Sequence, residues 1–157
     1  MFFNFFNPNK DINQIFKYLL KPPTAVAKVA GQGISGSVKF YQTPFGVVVL
    51  TEISGLPQTE TNIFAFHIHE VGECKGDFSS AKGHYNPHNN NHPNHAGDLP
   101  PLFSNNGYAL SAVLTERFNV DEIINRSVVI HEKPDDFTSQ PSGNSGKRIA
   151  CGVIKRN

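Results

Sequence analysis

The sequence predicts an all-β domain, an antiparallel sandwich or barrel, interrupted by two long loops and preceded by a short helix. Three observations carry that expectation. After residue 24 the apolar residues fall in short runs rich in Val, Ile and Phe, not in long helical stripes. The chain holds 13 Gly, 11 Pro and 16 Asn, which punctuate those runs. Two stretches, 70–107 and 132–147, carry no strand pattern. Loops of that length in a compact domain are usually functional.

In chain order, residues 1–23 read as an N-terminal extension and 24–157 as the domain. The extension starts MFFNFFNPN, aromatic and Asn-rich. Ile12, Ile15, Phe16, Leu19 and Leu20 then recur at the spacing of an amphipathic helix, and Lys21-Pro22-Pro23 stops it. Such a stripe is expected to dock on its own domain or on a second copy, with a membrane surface as the alternative. Strands follow at 25–30, 35–41, 46–53, 63–69, 108–114, 127–131 and 149–154. Each is bounded by Gly, Pro or Asn and rich in β-branched or aromatic residues. Seven or eight strands of this kind favour an antiparallel sandwich or barrel.

Charge excludes some function classes. Fourteen basic and 13 acidic residues leave a formal net charge of +1, with no footprint for nucleic acid. No apolar run approaches the roughly 18 residues of a membrane helix. Thirteen Phe demand a core, which argues against a disordered chain. The start lacks a basic n-region and a small-residue cleavage site, so the expectation is a cytoplasmic chain, with an extracytoplasmic one left open. Cys74 and Cys151 read either as two free thiols or as a staple between a loop and the last strand.

The histidines carry the chemistry. Six of the seven lie within 29 positions, from His67 to His95. In Phe66-His67-Ile68-His69 the two imidazoles are two apart on a strand and share a face. The following loop adds His84, His92, His95 and Asp98, a three-nitrogen, one-oxygen set that suits zinc. His88 falls only four positions before His92 and is expected in solvent. His131 ends a strand as His69 does; joined to the His67/His69 pair it completes an all-imidazole set that suits copper. Asp135 is placed to accept a ring N–H and fix a tautomer, whereas Asp136 reads as a turn residue. Arg148, after a glycine-flanked loop and beside Lys147, offers a cation to a small anion. A zinc hydrolase is disfavoured: no HExxH occurs, and Glu70 and Glu73 are the only nearby candidate bases.

Together FHIHE, GHYNP, HAGDLP, VVIHEKPDD and GNSGKRIACGVI, in this order, resemble the Cu/Zn superoxide dismutase family, in its bacterial-type branch, over residues 24–153. The resemblance implies an eight-stranded Greek-key β-barrel whose two long loops serve the metals. It implies copper at His67, His69, His84 and His131, zinc at His84, His92, His95 and Asp98, and His84 as the bridge. It implies that Asp135 ties His67 to His92, that Arg148 guides the anion, and that Cys74 and Cys151 form a disulfide. The implied activity is dismutation of superoxide to O2 and H2O2. The alternative is a zinc-stabilised module with a vacant copper site, such as a copper carrier. Family members occur as dimers and monomers, which leaves both states open here, and a copper donor is a further candidate partner. Residues 1–23 match nothing in the family pattern.

Overall fold

The computed structural model describes residues 12–157; the aromatic start at 1–9 lies outside the described residues. A helix α1 (Ile12–Leu19) precedes eight strands: β1 (Ala25–Gly31), β2 (Ser35–Thr43), β3 (Gly46–Ser54), β4 (Ile63–His69), β5 (Asp98–Phe103), β6 (Ala109–Thr115), β7 (Ser127–His131) and β8 (Arg148–Arg156). A short helix α2 (Val120–Ile123) links β6 to β7. All pairings are antiparallel, in the order β5-β4-β7-β8-β1-β2-β3-β6. The end strands β5 and β6 pack against each other, so the sheet curls into a nearly closed barrel. Non-sequential neighbours such as β4 and β7 give it the Greek-key character.

The core fills the barrel with Val38, Phe40, Ile53, Phe64, Phe66, Ile68, Val128, Ile130 and Ile154. In β4, Phe64, Phe66 and Ile68 join that core while His67 and His69 occupy the opposite face. That outer face is nevertheless buried, because both long loops cover it. β7 is buried along its whole length for the same reason. The metal-ligand face is thus outside the barrel wall and under the loops.

Two expectations need correction. The stretch 70–107 is not strand-free, since β5 lies inside it. Asp98-Leu99-Pro100-Pro101-Leu102-Phe103 hides its strand character behind two prolines, which cannot donate to a ladder. They are tolerated because β5 ends the ladder. The register breaks between Phe64 and Phe66, and the Ala65 N–H donates to Lys133 C=O instead (2.8 Å). Helix α2 was also unforeseen, although its capping box was legible: Asn119 and Glu122 cap each other's backbone. Helix α1 forms where the periodicity puts it and contacts β2, with Ile15 and Leu19 half-buried and Ile12, Phe16 and Leu20 exposed.

Cys74 and Cys151 are joined as a disulfide (Cα–Cα 5.7 Å), which settles the staple over the free thiols. With the partners 77 positions apart, the chain-entropy model assigns it about 4.5 kcal/mol of stabilisation. It ties the loop after β4 to β8 through a small buried cluster of Ala81, Val129 and Cys151, with Phe78 packed on it.

Candidate metal centre

His67 and His69 come from β4, His131 from the end of β7, and Asp98 from the start of β5. His84 is drawn to the same strand edge by an isolated antiparallel bridge to His69. The Tyr85 N–H donates to Ile68 C=O and the Ile68 N–H to Gly97 C=O, both at 2.8 Å. Gly97 is needed at that crossing, because a Cβ there would overlap the Ile68 carbonyl oxygen. His92 and His95 sit on the tight loop in between.

Two four-residue groups result, His67/His69/His84/His131 and His84/His92/His95/Asp98, each with its ligand atoms within 4.8 Å of one another and all buried. His84 belongs to both. Every residue that the sequence put forward as a ligand is in one of them, and His88 stays in solvent.

Hydrogen bonds decide where the ring lone pairs point. Asp135 accepts from His67 Nε2 (2.7 Å), His92 Nε2 (2.8 Å) and the Phe137 N–H (2.7 Å). His67 Nδ1 and His92 Nδ1 are therefore bare, and both are buried with no hydrogen-bond partner, as is His84 Nε2. His69 Nδ1 donates to Lys82 C=O (2.9 Å), and His131 Nδ1 faces Gly146 C=O (3.4 Å). Their Nε2 atoms then meet lone pair to lone pair at 3.3 Å. On the other side, His92 Nδ1 lies 3.1 Å from Asp98 Oδ2, and His95 Nδ1 lies 3.3 Å from both His84 Nδ1 and Asp98 Oδ1. His84 Nδ1 is 2.7 Å from Asp98 Oδ1. Convergent, buried acceptors repel one another unless a cation sits among them. The residues therefore fit two metal ions: a four-imidazole set for a redox-active ion such as copper, and an N3O set for zinc.

Burial keeps four of these imidazoles, His67, His69, His95 and His131, neutral, as ligands must be. Desolvation pushes His67 down to about 4, His131 to about 3 and His69 to about 2. His95 is lowered as well, again chiefly by burial. Burial opposes ionisation of Asp135, but hydrogen bonds from His67, His92 and Phe137 hold its carboxyl well below the usual range. Asp98 behaves alike, with His84 the main donor against its burial. One consequence is measurable without metal. Between the unfolded value of 6.5 and the lowered folded values, the unfolded chain binds more protons. Stability of the metal-free protein is complete above pH 6.5 and should fall as pH drops toward 4. A urea midpoint unchanged between pH 7.5 and 5 would contradict the buried neutral imidazoles.

Asp136 is exposed and caps the next turn through Thr138 and Ser139, as its sequence position suggested. Arg148 does more than the sequence indicated. Its guanidinium donates to the carbonyls of Phe78 and Lys82, and Lys82 C=O is the acceptor that orients His69. Together with Asp77, Ser79, Gly146 and Lys147 it lines a surface cleft of about 470 Å³ beside the Gly146–His131 contact.

Gly143, which sequence reasoning passed over, is the tightest point of the second loop. Its φ is +65°, and a Cβ there would overlap Asp135 Oδ1 and lie 2.7 Å from His92 Nε2. Gly143→Ala should displace the carboxylate that orients one imidazole in each group. Loss of such an orienting partner costs about 10–100-fold in metal affinity. Elemental analysis after dialysis against a chelator should show both metals depleted; wild-type retention would refute the role.

A nearly closed antiparallel β-barrel with a loop-covered pair of histidine-rich metal sets, sharing one imidazole, defines a binuclear metalloprotein class. Residues 34–154 match the family model described as copper/zinc superoxide dismutase (SODC). The chain belongs to the copper/zinc superoxide dismutase family. It is 38% identical to "Superoxide dismutase [Cu-Zn] 2" of Aquifex aeolicus, over 92% of this chain and 92% of that protein. It is 38% identical to the superoxide dismutase [Cu-Zn] of Legionella pneumophila, over 76% of this chain and 77% of that one. It is also 33% identical to the human copper chaperone for superoxide dismutase, over 85% of this chain but 53% of the chaperone.

Proposed function

We propose that this chain dismutes superoxide to O2 and H2O2, with copper held by His67, His69, His84 and His131 and zinc by His84, His92, His95 and Asp98. The observation that carries it is the pair of buried ligand sets meeting at His84. The complete four-imidazole set favours an enzyme over a module with a vacant copper site. When bound, copper supplies the one-electron chemistry, which redox-inert zinc lacks.

The protein's own contribution is binding, orientation and proton handling. Asp135 couples the two sets by accepting from one ring of each. Lys82 C=O and Gly146 C=O fix the tautomers of His69 and His131, so that both present Nε2. His84 offers Nε2 to one set and Nδ1 to the other. Its Nε2, buried and without a protein partner, is the atom placed to take up a proton and deliver it to peroxide. Arg148, with Lys147 beside it in the cleft, draws the anion in. The test is elemental analysis paired with a dismutation assay. One copper and one zinc per chain with rapid turnover is the expected result; zinc alone with no turnover would support the vacant-site module.

A further inference from the structure

Arg117 follows β6 and reaches back to the loop that holds His92, His95 and Asp98. One guanidinium nitrogen, Nη1, lies 2.9 Å from Pro93 C=O, 3.0 Å from His95 C=O and 3.1 Å from Asp98 C=O. Its own backbone N–H donates to Thr115 Oγ1 (3.2 Å), which anchors it to the end of β6.

We infer that Arg117 is a positioning residue for the zinc set: it clamps the backbone of the 93–98 loop so that His95 and Asp98 turn their side chains inward. This rests on the zinc assignment made above. Three carbonyl dipoles that converge on one point repel each other, and their oxygens need a shared donor. A charged N–H to carbonyl contact is stronger than a neutral one. The loop's other hydrogen bonds join its atoms singly: the Asp98 N–H donates to His95 C=O (3.2 Å), the His95 N–H to Asp98 Oδ2 (3.0 Å), the Asn94 N–H to Asn91 C=O (2.8 Å), Asn90 Nδ2 to Asn94 C=O (3.1 Å) and the Gly97 N–H to Tyr85 C=O (2.8 Å), whereas Arg117 Nη1 gathers three of its carbonyls at one atom. His95 and Asp98 supply two of the four zinc donors, and both carbonyls are held by the same nitrogen. The clamp therefore acts on backbone directly attached to the ligands, while no ligand side chain of the copper set touches Arg117. Arg117 itself is exposed.

The test uses the full chain and zinc alone, in competition with a chromogenic chelator. Arg117→Met keeps the stem and removes the donors. Its zinc affinity should fall about 10–100-fold, the range for loss of a partner that orients metal ligands. Arg117→Lys, whose ammonium carries three donors, should recover most of it. The melting temperature of zinc-free Arg117→Met should match that of the zinc-free wild type, and the increase on zinc loading should shrink. Zinc affinity within threefold of wild type would overturn the inference, as would a zinc-free protein destabilised as much as the loaded one. If the wild type held no zinc, the zinc assignment itself would fall and this inference with it, an outcome distinct from unchanged affinity in Arg117→Met.

Discussion

His131→Ala is expected to abolish dismutation and to leave zinc in place. His131 belongs to the four-imidazole set and to no other. Its Nε2 faces His69 Nε2 at 3.3 Å, the two lone pairs that a copper ion would separate. It stands at the end of β7, and its remaining polar contacts run to Gly146 and Ser145, away from Asp98 and His95. Removing one nitrogen of four opens that set to water, while the Asp135 link between His67 and His92 survives. Loss of a residue that only orients a ligand costs about 10–100-fold, so loss of the ligand itself should exceed about 100-fold in turnover. Elemental analysis should still find close to one zinc per chain. Near-normal turnover at full copper loading would remove His131 from the copper set. Zinc lost together with copper would show that the two sets are less separable than their geometry indicates.

Much of this was legible because the chemistry is written in residue types that have few other uses. The His67/His69 pair, His131 at a strand end and the His/His/Asp loop could be grouped from spacing alone. Asp135 could be placed beside a ligating ring from its position, but its tie between His67 and His92 followed only from the family resemblance. The parts that escaped are those where backbone does the work. β5 was hidden because Pro100 and Pro101 break its propensity, and only its place at the end of the ladder makes it a strand. Lys82 orients His69 through its carbonyl, a group every residue possesses, so no side-chain pattern marks it. Arg117 and Gly143 act across 24 and 8 positions of sequence on Pro93 and Asp135, a relation that only the folded loops create. For α1 the periodicity was right, and its stripe is split: Ile15 and Leu19 are half-buried in a helix that contacts β2, whereas Ile12, Phe16 and Leu20 are exposed.

Arg148→Glu is expected to lower kcat/KM by about 10–100-fold, and the structure splits that loss into two parts. The first is electrostatic. Arg148 and Lys147 share the cleft with a single carboxylate, Asp77, so the wild-type cleft carries net positive charge. At an effective dielectric near 20, unit charges about 4 Å apart interact by about 4 kcal/mol, and solvent at a half-exposed guanidinium cuts that to about half. At tenfold in rate per roughly 1.4 kcal/mol, the remainder accounts for one to two orders of magnitude. The second part is positional. The Glu variant also loses the donors to Phe78 C=O and Lys82 C=O, and a carboxylate facing those oxygens repels them. Because Lys82 C=O fixes the His69 tautomer, copper retention should weaken as well. Arg148→Lys separates the parts, since it keeps the charge but lacks the planar fork that reaches two carbonyls at once. Its rate should therefore keep the wild-type decline with ionic strength, whereas the Glu variant, whose cleft no longer attracts the anion, should show a flat or inverted salt profile. Stopped-flow turnover across a salt series, normalised to bound copper, measures both. A Glu variant that matched wild-type turnover per copper at low salt would end the anion-guiding role and leave Lys147 as the residue to test.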